Sequence, residues 1–115
     1  MKTRILGRTG LAVSELALGG LFVASFASPL ETARRTVARA LDLGVNYIDT
    51  APTYGNSEEV LGEVLAGERR PFILSTKLSG TAPEYRTRDA AYLRGAVERS
   101  LRLLRRDRVD ILMIH

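Results

Sequence analysis

Between residues 45 and 115, three short apolar runs (45–48, 72–76 and 109–114) alternate with two longer stretches patterned as amphipathic helices. That order restricts the fold to a parallel sheet with right-handed crossovers, because a strand–helix–strand unit returns to its own sheet in that hand almost without exception. The alternation begins earlier in the chain. Residues 15–18 read as a first strand that ends in Gly19-Gly20, where bare backbone either admits a ligand closely or simply turns. Ser28-Pro29-Leu30-Glu31 opens a helix, with Ser28 as cap, Pro29 at the first helical position and Glu31 completing a capping box. Ala33, Val37, Ala40 and Leu41 then repeat at helical spacing, and Gly44 stops the helix. A second helix is expected over 58–65, capped by Asn56 or Ser57 and ended by Gly67. Its buried stripe is Val60, Leu61, Val64 and Leu65. A third starts at Thr87 or Asp89 and buries Leu93, Val97, Leu101 and Leu104. Residues 21–27 and 78–88 read as loops. At the start, residues 2–6 and 11–13 flank Gly7-Arg8-Thr9-Gly10 and read as a hairpin. The expected fold class is therefore α/β, a hairpin followed by strand–helix units. Periodicity alone does not separate an open sheet from half of a closed barrel.

Composition narrows the chemistry. At 115 residues, 45% apolar and 26% charged, the chain fits one globular domain. It has no cysteine and one histidine, which removes disulfides, thiolate catalysis and His-rich metal sites from consideration. The first residues carry no signal-peptide pattern and no run approaches a membrane span, so a cytoplasmic location without membrane insertion is expected. The net charge of +4 is carried largely by Arg94, Arg99, Arg102, Arg105, Arg106 and Arg108. Aromatic residues do not interleave with them, so they read as the solvated face of a helix and not as a nucleic-acid surface.

The reactive side chains fall at strand ends. Asp49, Lys77 and His115 each terminate a predicted strand, and Tyr54 lies in the loop just after Asp49. Neighbouring parallel strands in register bring such ends to one rim, the rim at which α/β folds bind ligands. A phenol has an ordinary pKa of about 10 and gives up its proton reluctantly at neutral pH. A neighbouring ammonium makes the phenolate easier to form, and an ammonium in a partly buried site needs a carboxylate partner. An imidazole beside the phenol orients a substrate oxygen or relays its proton. Taken singly, each residue has an ordinary reading: a packed tyrosine, a solvated lysine, a structural histidine, a turn-capping aspartate. Asp110, inside the last run, is expected to be a structural hydrogen-bond partner.

Four segments carry a family resemblance. DTAPTYGNSE (49–58), LGRTGLAVSELALGG (6–20), FILSTKL (72–78) and SLRLLRRDRVDILMIH (100–115) resemble, in order, the signature, opening, lysine strand and histidine segment of the aldo-keto reductases. The resemblance implies an N-terminal β-hairpin (2–14) capping the bottom of a (β/α)8 TIM barrel. Residues 15–115 would supply its first four strands and three intervening helices, so that 1–115 is the N-terminal half of a barrel. A complete barrel takes about 250 residues. It implies an NAD(P)H-dependent oxidoreductase that reduces carbonyls or oxidises alcohols, and a fragment inactive alone. Tyr54 would be the proton donor, Lys77 and Asp49 would tune it, and His115 would position the carbonyl. Gly20, Leu21 and Asp49 would touch the nicotinamide end of NADP(H), with NAD(H) left open. The partner is a small-molecule carbonyl or alcohol; substrate identity and oligomeric state are not fixed. The same tetrad occurs in non-catalytic redox-sensing regulatory subunits of membrane channels, and a functionless gene fragment is a third reading. No G-x-G-x-x-G after a strand, phosphate loop or H-E-x-x-H motif is present.

Overall fold

Leu6 N–H donates to Leu11 O (2.8 Å) and Thr9 N–H to Leu6 O (3.0 Å), closing the Gly-rich turn between two short strands. In this computed structural model, which describes residues 1–78 and 89–115, those strands are β1 (Thr3–Ile5) and β2 (Ala12–Ser14). They pair antiparallel with Thr3 opposite Ser14 and Ile5 opposite Ala12. Asn46 ties the hairpin to the sheet. Its Oδ1 accepts from Ser14 N–H (2.7 Å), its Nδ2 donates to Ala12 O (2.9 Å) and its own N–H donates to Ser14 Oγ (3.0 Å). Because Asn46 immediately precedes a strand, the hairpin sits at the amino ends of the sheet, away from the rim that carries the reactive groups.

The main sheet has four parallel strands in chain order: β3 (Leu18–Gly19), β4 (Tyr47–Asp49), β5 (Ile73–Leu78) and β6 (Ile111–Ile114). The connecting segments contain α1 (Leu30–Asp42), α2 (Ser57–Val64) and α3 (Ala90–Leu104). Alternation along β5 sorts its side chains between two faces. Leu74, with Ile48 of β4, meets Ala33, Val37 and Leu41 of α1, Val60 and Leu61 of α2, Leu65, and Leu104 of α3 in one buried cluster. Each large aliphatic buried there contributes about 1.5–3 kcal/mol relative to exposure. Ser75 and Lys77 point to the opposite face, where both reach Asp49. Among the described residues, no helix is long and apolar enough to cross a membrane.

Several expectations are corrected. β3 starts at Leu18, later than residue 15, because Glu15 N–H still bonds Lys2 O (3.1 Å) in the hairpin. Residues 21–27 are not simply a loop: Gly20–Val23 form a 3-10 turn, and Val23 and Ala24 are buried. The capping box at Ser28 and Glu31 does not form. Pro29 occupies the cap position, its carbonyl accepts from Ala33 N–H (3.0 Å), and Ser28 Oγ turns to Pro29 O (3.3 Å). Asn56 precedes α2 but caps nothing; its Oδ1 is drawn across to Ser25 N–H (2.9 Å) and Ser25 Oγ (3.0 Å). α2 ends at Val64, so Gly67 lies beyond it, in a turn closed by Glu68 N–H to Leu65 O (3.1 Å). On α3 only Leu104 of the expected stripe is fully buried; Leu93, Val97 and Leu101 are half-buried, with Ser100 buried beside them. Gly44, with φ of +84°, does terminate α1, and Asp89 Oδ1 accepts from Ala91 N–H (2.9 Å) as the cap of α3. β5 runs one residue past Lys77. The alternative cap Thr87 and the expected loop at 79–88 lie outside the described residues. Asp110 is structural: its Oδ2 accepts from Leu74 N–H (2.8 Å) and its N–H donates to Leu74 O (2.9 Å).

Candidate active site

β4 ends in Asp49; Thr50 N–H still bonds Ser75 O of β5 (2.9 Å), and past buried Thr50 and Ala51 the chain turns into a loop. The loop tightens immediately. Tyr54 N–H donates to Ala51 O (3.0 Å), Ser57 N–H donates to Tyr54 O (3.1 Å), and Gly55 adopts φ of +60°, which a side chain disfavours. These bonds fold Tyr54 back over the carboxyl end of the sheet.

Lys77 holds the centre. Its Nζ donates to Asp49 Oδ2 (2.6 Å), Thr50 O (3.1 Å) and Tyr54 Oη (3.2 Å), using all three donors of the ammonium. Ser75 Oγ donates to the other oxygen of Asp49, so both carboxylate oxygens are engaged. The Lys77 side chain is 10% exposed and that of Asp49 23%. Burial pulls the Lys77 pKa down, but the hydrogen bonds and charges of Asp49 and Tyr54 outweigh it and raise it above the ordinary lysine value. Lys77 is therefore a cation throughout the neutral range.

His115 continues the β6 line, with its N–H on Leu78 O (3.0 Å). Its ring stands edge-on to the Tyr54 ring, with centroids 5.9 Å apart at 85°, and its Nδ1 lies 3.3 Å from Thr53 Oγ1. Asp49, Tyr54, Lys77 and His115 are thus gathered at one rim, as the strand-end argument required.

Gly20 is packed beside them. A Cβ at this position would lie 2.8 Å from Asp49 O and 2.8 Å from Ser57 Oγ. Its carbonyl accepts from Ser57 Oγ (2.7 Å), which is also paired with Thr50 Oγ1 (2.8 Å). Gly19, in register with Asp49, faces open space. Leu21 follows, 37% exposed. Sequence reasoning missed the hydroxyls of Thr50, Ser57 and Ser75. Their signal was small polar residues at positions patterned to be buried.

The Aldo/keto reductase family profile matches residues 15–115. A 6-dehydroglucose reductase of Novosphingobium aromaticivorans is 39% identical over 97% of this chain and 40% of its own length. A protein of Schizosaccharomyces pombe named as a voltage-gated potassium channel subunit beta is 34% identical over 97% of this chain and 36% of its own. A solved aldo-keto reductase structure from Pseudomonas aeruginosa superposes with a TM-score of 0.86 at 41% identity, covering 98% of this chain and 45% of that one. The chain therefore spans less than half the length of these relatives.

Proposed function

The chain belongs to the aldo/keto reductase family, and from that premise we propose that it is the N-terminal half of a (β/α)8 barrel that transfers a hydride between NAD(P)H and a small carbonyl or alcohol. The observation that carries the reading is the Lys77 ammonium, 2.6 Å from Asp49 and 3.2 Å from the Tyr54 hydroxyl. The relatives' greater length supports the half-barrel, as does the exposure of Leu112 (43%) and Ile114 (80%), which lie in register with Thr76 and Leu78 on the helix side of the sheet and are left uncovered there by the described helices. All-parallel sheets are normally covered on both faces. Activity then resides in the complete barrel, to which this chain brings residues 1–115.

The residues present fit the nicotinamide end of the cofactor. Gly19 leaves its backbone open next to Asp49, and exposed Leu21 (37%) borders it, while Gly20 is packed between them against Asp49 O and Ser57 Oγ. The nicotinamide, when bound, supplies the hydride, which no side chain can deliver. Tyr54 donates the proton to the substrate oxygen in reduction and removes it in oxidation. The fixed positive charge of Lys77 stabilises the phenolate left behind. Asp49 holds that ammonium in place, and His115 orients the oxygen beside Tyr54. The exposed side chains of Phe22 (74%) and Phe26 (67%) add an apolar border, favouring a partly hydrophobic substrate.

NADPH fluorescence titration tests the division of labour. Weak or no binding is expected for the isolated chain, and tight binding once it is joined to the second half of a relative's barrel. Tight binding by a stable monomer of the isolated chain contradicts the half-barrel reading. The likeness to a channel subunit beta favours a second reading, a redox-sensing regulatory role with the same tetrad. Co-purification with a membrane protein and no turnover in the completed barrel would favour it.

A further inference from the structure

Tyr54 and Lys77 come from segments that are also joined on the far side of the sheet. Thr76 precedes Lys77 on β5, so alternation turns its side chain away from the site and toward the helices. Glu58 lies four residues after Tyr54, in the first turn of α2. Thr76 Oγ1 donates to Glu58 Oε1 at 2.6 Å, and the two residues are 1% and 3% exposed. A carboxylate so buried is costly unless satisfied. The amino end of α2 lowers that cost, and among the described residues Thr76 is the hydrogen-bond partner of its carboxylate.

We infer that Glu58 and Thr76 are positioning residues that set the distance between Tyr54 and Lys77. Their bond fixes the height of the Tyr54 loop and α2 relative to β5. One residue along β5, on the other face, Lys77 meets Tyr54 at 3.2 Å. If α2 slides, the phenol leaves the ammonium while Asp49, on its own strand, stays. The inference rests on the reading of Tyr54 and Lys77 as the proton-donating pair, but it concerns their separation and not the reaction.

The test uses the 115-residue chain without cofactor. Lys2 and Lys77 are its two lysines, so a 15N-lysine-labelled sample gives at most two ammonium signals by NMR. Lys77, with three acceptors, is expected to give a slowly exchanging one and exposed Lys2 none. Glu58→Leu and Thr76→Val are each expected to speed exchange of the Lys77 ammonium at least about tenfold, and the double variant no further than either alone. Glu58→Gln and Thr76→Ser keep an acceptor and a donor and are expected to restore the wild-type signal. Unchanged exchange in Thr76→Val, or Glu58→Gln behaving like Glu58→Leu, overturns the inference. If the Leu and Val variants do not fold, the two conservative variants decide: loss of the signal in either overturns it, and retention in both upholds it. No turnover is measured, so a failure here leaves the oxidoreductase reading standing, and an inactive completed barrel leaves this result unaffected.

Discussion

Three acceptors converge on the Lys77 ammonium, and removing that ammonium has calculable consequences. Lys77→Met leaves Asp49 with Ser75 Oγ but no cation. A urea melt is expected to show a loss of about 2 kcal/mol, less than the roughly 3–5 of a fully buried pair because part of Asp49 remains in solvent. The sign for pH follows from the raised pKa: the contribution of Lys77 to stability is complete below its ordinary value and is lost only as pH rises through the higher folded value. The site therefore keeps its cation throughout the neutral range. Glu68 gives the opposite dependence. Hydrogen bonds from the Arg70 side chain, and then from the Arg70 backbone, hold its pKa at about 2, against an ordinary 4.5. Its contribution is present above 4.5 and is lost as pH falls toward about 2. Urea midpoints measured down this range are expected to fall less steeply in Glu68→Gln than in the wild type. An equal slope in both removes the Glu68–Arg70 pair from the acid response.

The elements meet at backbone distance where α2 crosses α3. A Cβ on Gly62 would come within 2.1 Å of Leu103 O, and a carbonyl in the last turn of a helix moves only with that helix. Gly62→Ala is expected to lower stability by about 1–3 kcal/mol by forcing the helices apart, and calorimetry reads the loss directly. At the end of α3, Arg105 holds φ of 54° in the left-handed region. Arg105→Gly is expected to raise stability by about 1 kcal/mol by removing that strain, read as a higher melting midpoint. The strands and helices were legible in the sequence wherever a long periodic stripe met a stop signal, as at Gly44 after α1. Single turns were not. The Gly20–Val23 turn has too few residues to show a period. Capping side chains misled for another reason. Ser28, Asn56 and Ser57 all read as helix caps, but the direction of a short polar side chain depends on neighbours distant in sequence. Asn56 goes to Ser25 and Ser57 to Gly20. Asp49, Lys77 and His115 were legible because each stands at or next to the carboxyl end of a parallel strand, where register brings such positions together, and Tyr54 lies in the loop that follows Asp49.

Among the described residues, one layer of helices lies against a four-stranded sheet, and the shortest dimension is 21 Å. Both outer strands have free edges among the described residues, and Leu16 (64% exposed) beside β3 and Ile114 (80% exposed) on β6 make those edges apolar. Such edges promote association. Ile114→Lys is expected to lower the weight-average mass of the isolated chain in sedimentation, and no change would place the association elsewhere. Open sheet and half-barrel were not distinguishable in the sequence because the elements that close a barrel determine closure, and strand periodicity does not encode them. The claim at the centre is that the phenol beside the buried ammonium delivers the proton. It is tested most directly by NADPH-dependent reduction of a simple aldehyde, with this chain joined to the second half of a relative's barrel. Tyr54→Phe is predicted to lower kcat by about 100-fold or more while cofactor affinity stays within a factor of a few; a Tyr54→Phe protein that keeps its rate would contradict the account.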